Sequence, residues 1–132
     1  SALKWAKFKD GNDDPPADKR PMAYIVITIN RETAPRGGAH GAGAAVQNIL
    51  LAAYEEKLGT CWIRSFKAGA IKETLGIPDC CVVDSVVAIG YPAESPMTDS
   101  KRKGSVQYWR DERGVMHVPK RKLDEVLHIE MY

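Results

Sequence analysis

The sequence is poor in cysteine: only three of its 132 residues are cysteines, and no two of them form a CxxC pair. Cys61 stands alone, whereas Cys80 and Cys81 are adjacent and are poor disulfide partners for each other. An odd, irregular set of this kind is neither a disulfide framework nor a zinc site. We therefore expect the chain to work in the reducing cytoplasm, without a metal centre.

Long apolar runs and a strong net charge are also lacking. No run approaches the roughly 20 apolar residues that a membrane-spanning helix needs, and no basic-then-apolar leader opens the chain. The formal net charge is only +2, although basic residues are concentrated late in the sequence. Tyr108 and Trp109 are the only aromatic residues interleaved with them, too few for a stacking platform. We expect neither a membrane nor a nucleic-acid partner.

The familiar catalytic motifs are missing as well. There is no Ser-His-Asp pattern and no G-x-S-x-G elbow. His40, His117 and His128 are far apart and more typical of surface or capping residues than of metal ligands. Cys61 lies in an apolar strand where burial would raise its pKa, which favours inert packing over nucleophilic chemistry. This absence suits an enzyme whose cofactor does the chemistry, and equally a protein without catalysis.

The glycine-rich stretch at 37–43 invites a nucleotide-loop interpretation that fails in detail. Val46 occupies the position where a dinucleotide fingerprint requires Gly or Ala, and no Lys-Ser/Thr follows for a P-loop. Close packing of a helix is the better explanation, because small side chains let another backbone approach.

What is present is a β-α-β-α-β order with 44% hydrophobic and 27% charged residues, ordinary for one soluble domain. The β-branched runs at 23–29 and 82–89 predict strands buried on both faces. The helix expected at about 40–57 has apolar residues on most of its sides, which predicts that it is buried on most sides. Gly59 would cap its end. The predicted elements are strands at 23–29, 60–63 and 82–89, helices at about 40–57 and 67–75, a polar loop at 93–104, a hairpin of 105–110 with 115–118, and a last helix from Pro119.

The run Pro119-Lys-Arg-Lys122 would open that last helix, whose apolar face is Leu123, Val126 and Leu127. Free backbone amides and the helix dipole at such a start favour an anion, and cationic side chains there could clamp a phosphate. A solvated basic turn explains the same spacing equally well.

Several segments, taken in order, resemble the FMN-dependent nitroreductase family. They include Leu58-Gly-Thr-Cys-Trp-Ile63 from the family's central block and Val118-Pro-Lys-Arg-Lys-Leu123 from its basic segment. The similar segments are 3–6, 21–26, 43–53, 58–63, 71–78, 86–94 and 118–126. They cover nearly the whole chain and keep the family's order.

The resemblance implies an α+β, nitroreductase-like fold in which helices pack on a central β-sheet, within an intertwined homodimer built on the helix at 40–57. It implies FMN at the dimer interface, NADH or NADPH as hydride donor, and a nitroaromatic, quinone or similar small-molecule acceptor. A loop along the isoalloxazine edge would offer a backbone N–H to flavin N5, and two cations would hold the phosphate. These cofactor-binding residues are Trp62, Ile63, Arg64 and Ser65 in the loop, with Lys120 and Arg121 at the phosphate; no residue is assigned a catalytic role.

Two departures from the family pattern stand out. Arg64 occupies a position where the resemblance implies a small residue, so it would place positive charge near the flavin or point to solvent. The family's opening Arg-Arg-Ser-type segment and the Pro-, Ser- and Asn-containing loop after it do not occur in the sequence. We therefore expect residues 1–132 to form a single nitroreductase-like domain that is incomplete at its amino terminus. The alternative is a non-catalytic or degenerate flavin- or nucleotide-binding subunit.

Overall fold

The computed structural model describes residues 2–3, 15–100 and 107–130, which fall into two compact units, Ser1–Pro92 and Ala93–Tyr132. The single domain predicted for residues 1–132 remains a prediction. The first unit contains β1 (Ala23–Asn30), α1 (Gly38–Glu55), β2 (Gly59–Ile63), α2 (Ala68–Leu75) and β3 (Cys81–Gly90). The second contains β4 (Met97–Ser100), β5 (Trp109–Arg110) and β6 (Met116–Lys120). Short 3-10 turns occur at Ala17–Lys19 and Leu123–Glu125. The combination of helices and sheets confirms the predicted α+β class.

The sheet of the first unit has the order β1-β3-β2, and both pairings are antiparallel. Its central strand β3 buries Val86 and Val87 almost completely, which confirms the buried strand predicted at 82–89. The prediction that the strand at 23–29 is buried on both faces is wrong for the chain by itself. Tyr24 and Ile25 are exposed, because β1 lies at the sheet edge and pairs only with β3.

One face of this sheet packs against α2. Ile71 of α2 joins Ile63, Val83, Val86 and Ala88 in a buried cluster. Partly buried side chains cover this cluster, among them Leu3, Phe66 and Ile77. Burying side chains of this size stabilises the fold by about 1.5–3 kcal/mol each. Because Ile63 is the last residue of β2 and belongs to this cluster, the cluster holds the end of β2 in place.

Helix α1 contacts all three strands of this sheet, but it is not buried on most sides as predicted. Within the chain only Ala42, Val46 and Ala53 are buried, whereas Leu51 is 58% and Tyr54 77% exposed. Among the residues that the structure describes, none therefore buries the side of the helix that faces away from the sheet. Close packing occurs instead at Gly38, where an added Cβ would lie 2.5 Å from Cγ2 of Ile29.

The end of α1 differs from the expected Gly59 cap. Lys57 adopts a left-handed conformation with φ 63°. Its N–H donates to the Tyr54 carbonyl at 3.0 Å, and the N–H of Leu58 donates to the Ala53 carbonyl at 2.8 Å. These two bonds form a Schellman motif with lysine where glycine is usual. Gly59 already belongs to β2.

The second unit has a sheet of order β4-β6-β5, with β4 parallel and β5 antiparallel to β6. The predicted hairpin is confirmed as a pairing across the turn at 111–114, but its strands are β5, which is shorter than predicted, and β6. Residues 105 and 106 lie outside the described ranges. The polar loop predicted at 93–104 contains β4, so that prediction is wrong over Met97–Ser100.

The helix predicted from Pro119 is also wrong. Pro119 and Lys120 belong to β6, where they pair with Asp99 and Ser100 of β4. Strand β5 reaches only His117 and Met116, so Pro119 sits where its missing N–H costs no pairing with β5. Only the 3-10 turn Leu123–Glu125 follows, and the intended apolar face, Leu123, Val126 and Leu127, stays exposed.

Candidate functional site

The end of β2 carries the first group of predicted site residues. Trp62 and Ile63 are the last two strand residues, opposite Val87 and Val86 of β3. Neighbouring strand side chains point to opposite faces. Ile63 is accordingly 5% exposed and packs in the core, whereas Trp62 is 41% exposed. The side chain of Ile63 is thus committed to packing, which leaves only its backbone for a ligand.

Arg64 and Ser65 follow the last pair of the ladder, and both are exposed. The next residue, Phe66, forms an antiparallel bridge with Leu3, and the Lys67 N–H donates to the Ala2 carbonyl at 2.8 Å. The two exposed residues are therefore a short link held at both ends. We call the segment Trp62, Ile63, Arg64 and Ser65 the β2-end loop. It offers an indole, a guanidinium, a hydroxyl and backbone N–H groups as hydrogen-bond donors.

The second group, Lys120 and Arg121, lies at the end of β6. This group belongs to the second unit, whereas the β2-end loop belongs to the first. Both side chains are exposed, and Lys122 extends the run of cations. The helix start that was expected to support anion binding does not exist, because Lys120 is a strand residue. Any anion bound here would be held by side-chain charge rather than by a helix dipole.

Sequence reasoning missed a polar cluster in the second unit. The Nδ1 atom of His117 lies 2.7 Å from Oδ2 of Asp99, and its Nε2 atom lies 3.4 Å from Oδ2 of Asp111. The His117 ring also stacks on Trp109, and its side chain is only 12% exposed. Of the two roles expected for this histidine, surface or capping, the surface role is therefore wrong. The sequence signal available was the turn at 111–114, which places Asp111 close to the following strand.

The carboxylate of Asp111 is the electrostatically perturbed member of this cluster. The backbone N–H of Val115 donates to it at 2.8 Å and lowers its pKa most, with further lowering from His117 and the Arg113 N–H. Partial desolvation opposes these contributions. The net effect is a pKa below the usual range, because three donors stabilise the charged form.

The cysteines of the first unit also differ from expectation. Cys61 is exposed, so its expected burial is wrong, although partial desolvation still raises the pKa of its thiol. Cys80 and Cys81 are both half-buried free thiols. Within the described ranges, no three or more His, Cys, Asp or Glu side chains are grouped so as to hold a metal ion. Over the same ranges, no helix is both long and apolar enough to span a bilayer.

A groove of about 410 Å³ lies elsewhere in the first unit, at the start of α1. Its walls include Arg31, Pro35, Gly38 and Val82. None of the predicted site residues lines it, so the groove and the β2-end loop are separate features of this unit.

The chain is similar to known proteins of one family. Residues 7–91 match the model of the nitroreductase family, and the chain belongs to that family. It is 46% identical over 55 residues to a protein of Archaeoglobus fulgidus and 35% identical over 83 residues to one of Methanothermobacter thermautotrophicus. Both are provisionally named NADH dehydrogenase/NAD(P)H nitroreductase. The matches cover 39% and 59% of this chain but only 32% and 44% of those proteins.

Solved structures agree on the fold. A provisionally assigned nitroreductase from Desulfovibrio desulfuricans, solved in complex with FMN, is 26% identical with a TM-score of 0.55. A Parabacteroides distasonis protein, provisionally named NADH dehydrogenase/NAD(P)H nitroreductase, is 26% identical with a TM-score of 0.53. The matches cover 83% and 67% of this chain, and 55% and 54% of those chains. An FMN-dependent nitroreductase from Clostridium difficile, 22% identical with a TM-score of 0.56 over 83% of this chain and 57% of its own, shares the fold. The predicted nitroreductase-like fold is confirmed.

Proposed function

We propose that the chain is part of an FMN-dependent oxidoreductase that takes hydride from NADH or NADPH and reduces a nitroaromatic, quinone or similar small acceptor. Family membership supports this proposal, as does the similar Desulfovibrio desulfuricans protein, whose structure was solved in complex with FMN. The main support comes from the β2-end loop, which lies inside the segment that matches the family. In this loop Trp62 is accessible beside two exposed polar residues.

The β2-end loop offers side chains that would suit an isoalloxazine ring. Such a ring has flat apolar faces and an edge of nitrogen and oxygen acceptors. The indole of Trp62 supplies an exposed flat surface, and Arg64 and Ser65 supply donors. When bound, FMN would supply the hydride and electron chemistry that the amino acids themselves lack. The chain would contribute placement, because Ile63 and the Phe66–Leu3 bridge hold the loop in position.

Lys120 and Arg121 fit a phosphate on charge alone, and that assignment is a separate proposal that concerns the second unit. The two cations are adjacent and exposed at the end of β6. A guanidinium and an ammonium both donate charge-assisted hydrogen bonds to phosphate oxygens. The described residues of the second unit place no α-helix start at these cations, so their combined side-chain charge would have to account for the affinity.

We further propose that two copies of the chain form a homodimer through α1 and that the dimer works in the cytoplasm. Helix α1 exposes small and apolar residues, including Ala44, Ala45 and Leu51. A stable dimer of this kind commonly buries more than about 2,000 Å² of surface in total. Contact between small residues would let the two helices approach closely.

The visible spectrum of the purified chain, with and without added FMN, tests the main proposal. We expect about one equivalent of bound flavin per chain, with absorption bands perturbed from those of free FMN, and oxidation of NADH or NADPH when a nitroaromatic acceptor is present. A Trp62→Ala variant should lose flavin affinity, whereas Tyr91→Ala, which removes another exposed aromatic of the same unit, should not. A protein that binds flavin but oxidises neither nicotinamide would be a non-catalytic flavin-binding subunit. A folded protein that binds no flavin would refute both.

A further inference from the structure

Cys80 and Cys81 bring their sulfur atoms to 4.0 Å, although neighbouring side chains in a strand point to opposite faces. The reason is that β3 begins only at Cys81. Cys80 lies in the preceding turn, which is closed by a 3.0 Å hydrogen bond from the Cys81 N–H to the Pro78 carbonyl. The turn therefore directs both thiols to the same side of the backbone.

The surrounding backbone keeps the two thiols together. The N–H of Arg31 donates to the carbonyl of Cys80 at 2.8 Å, and Cys81 pairs with Asn30 of β1. The carbonyl of Cys80 and the strand pairing of Cys81 thus both tie this segment to the end of β1. Since this spacing is set by the fold, a ligand that binds both sulfur atoms loses little free energy in ordering them.

Access and protonation state complete the description of the pair. Both thiols are free and half-buried, so a small reagent can reach them. Desolvation raises the pKa of Cys80, and the neighbouring Cys81 thiol and Glu32 raise it further. Cys80 is therefore a protonated thiol at neutral pH and a weak single nucleophile. A reagent that replaces both thiol protons and gains two bonds is better suited to this pair than one that attacks a single sulfur.

From this geometry we propose that Cys80 and Cys81 form a two-sulfur binding site for trivalent arsenicals. An arsonous acid, R–As(OH)₂, reacts with both thiols: two As–S bonds form, two As–O and two S–H bonds break, and two water molecules leave. Arsenic remains trivalent and neither sulfur is oxidised, so the reaction needs no oxidant or reductant. Cys61, a lone exposed thiol in β2, can supply only one such bond. The site is independent of the function proposed for the chain.

Phenylarsine oxide is the probe, and the matched variants are Cys80→Ser, Cys81→Ser and Cys61→Ser. For the folded parent we expect one equivalent of phenylarsine oxide to be bound and the number of reactive thiols to fall from three to one. The mass of the protein should rise by the mass of one phenylarsine oxide less one water, because the oxide already has one water fewer than the arsonous acid. Excess dithiol should release the arsenical, whereas an equal concentration of monothiol should not. Cys61→Ser should bind like the parent, and either other variant should lose binding that survives gel filtration.

Two further measurements guard against trivial explanations. Circular dichroism and thermal unfolding of each variant establish whether it is folded. If a serine variant at Cys80 or Cys81 does not fold, the corresponding alanine variant, Cys80→Ala or Cys81→Ala, replaces it. Titration of the parent in urea measures the contribution of the fold, because preorganisation should make the folded protein bind at least about tenfold more tightly. Retained two-thiol binding in a folded Cys80 or Cys81 variant, loss of binding in Cys61→Ser, or equal affinity in urea would each overturn the proposal.

Discussion

The imidazole of His117 stacks on the indole of Trp109, with ring centroids 4.0 Å apart and ring planes 14° from parallel. The two residues also face each other across the β5–β6 ladder. Carboxylates of Asp99 and Asp111 lie at the two ring nitrogens. This cluster therefore connects all three strands of the second unit. No described residue of that unit is fully buried, so the cluster takes the place that an apolar core has in a larger domain.

Asp111 should make the stability of the second unit depend on acid. Its folded pKa lies below the unfolded value of about 3.9, so its contribution is present above that value and is lost as pH falls through the folded pKa. Asp111→Asn should lower the stability at neutral pH and reduce the loss of stability with acid below about pH 4. NMR signals of the Trp109 indole, followed from pH 7 to pH 2, measure the effect.

The control for this prediction is Asp124→Asn, which removes an exposed carboxylate of the same unit from outside the cluster. It should leave the acid profile of the parent unchanged. Equal acid profiles for Asp111→Asn and the parent would show that the low pKa of Asp111 does not contribute to folding.

Lys57→Gly should stabilise the first unit. Lys57 occupies a left-handed conformation that costs a side-chain-bearing residue roughly 1–2 kcal/mol. Glycine removes that cost but loses more backbone entropy on folding, which leaves a net gain of about 0.5–1 kcal/mol. Urea unfolding followed by circular dichroism measures the change. Lys57→Ala removes the same charge without relieving the backbone, so it should not stabilise; a gain of similar size in both variants would contradict the explanation.

If the chain binds FMN, replacing both Lys120 and Arg121 with alanine should weaken binding by roughly two orders of magnitude or more. Each hydrogen bond to a charged group contributes about 1.5–3 kcal/mol. Riboflavin, which lacks the phosphate, should bind the parent and the double variant equally. Parallel titrations at fixed salt measure both affinities.

Arg113→Ala provides the matched control, since Arg113 is an exposed cation of the same unit in the β5–β6 turn. It should change neither affinity. Unchanged FMN affinity in the double variant would identify Lys120 and Arg121 as a solvated basic turn, and an equal loss for riboflavin would indicate damaged folding.

Ala45→Leu should weaken the proposed dimer. Ala45 is exposed on α1, and overpacking a close interface costs roughly 1–3 kcal/mol. Sedimentation at several micromolar concentrations should show a stable dimer for the parent and partial dissociation for the variant. Glu73→Leu, which adds an apolar side chain on α2, should sediment like the parent. A parent that remains a folded monomer in this range would exclude the dimer.

Much of the first unit was predictable because its signals are local. The β-branched run at 82–89 predicted a buried strand, and helical spacing predicted α1 and α2 within a few residues of their observed bounds. Whether a given strand lies at the centre or at the edge of the sheet was not predictable. The run at 23–29 looks as buried as the run at 82–89, yet it forms an edge strand, because position in a sheet depends on partners distant in sequence.

The candidate site divides in the same way. The alternation of side chains along β2 would separate Trp62 from Ile63 once the strand is known, and the order of similar segments identified the family. By contrast, the run from Pro119 predicted a helix because proline is common at helix starts. In the structure, pairing with β4 makes it a strand, which removes the dipole argument for Lys120.

By itself the sequence determined the order of most elements, the α+β class and the family, because hydrophobic periodicity and family-like motifs are properties of short segments. Only the tertiary structure decided which residues meet across strands and turns. The His117–Asp99 contact depends on a parallel pairing between β4 and β6, and the 4.0 Å approach of Cys80 and Cys81 depends on a turn held by the end of β1. Such contacts arise from backbone pairings between distant segments, for which no local pattern of residues is sufficient.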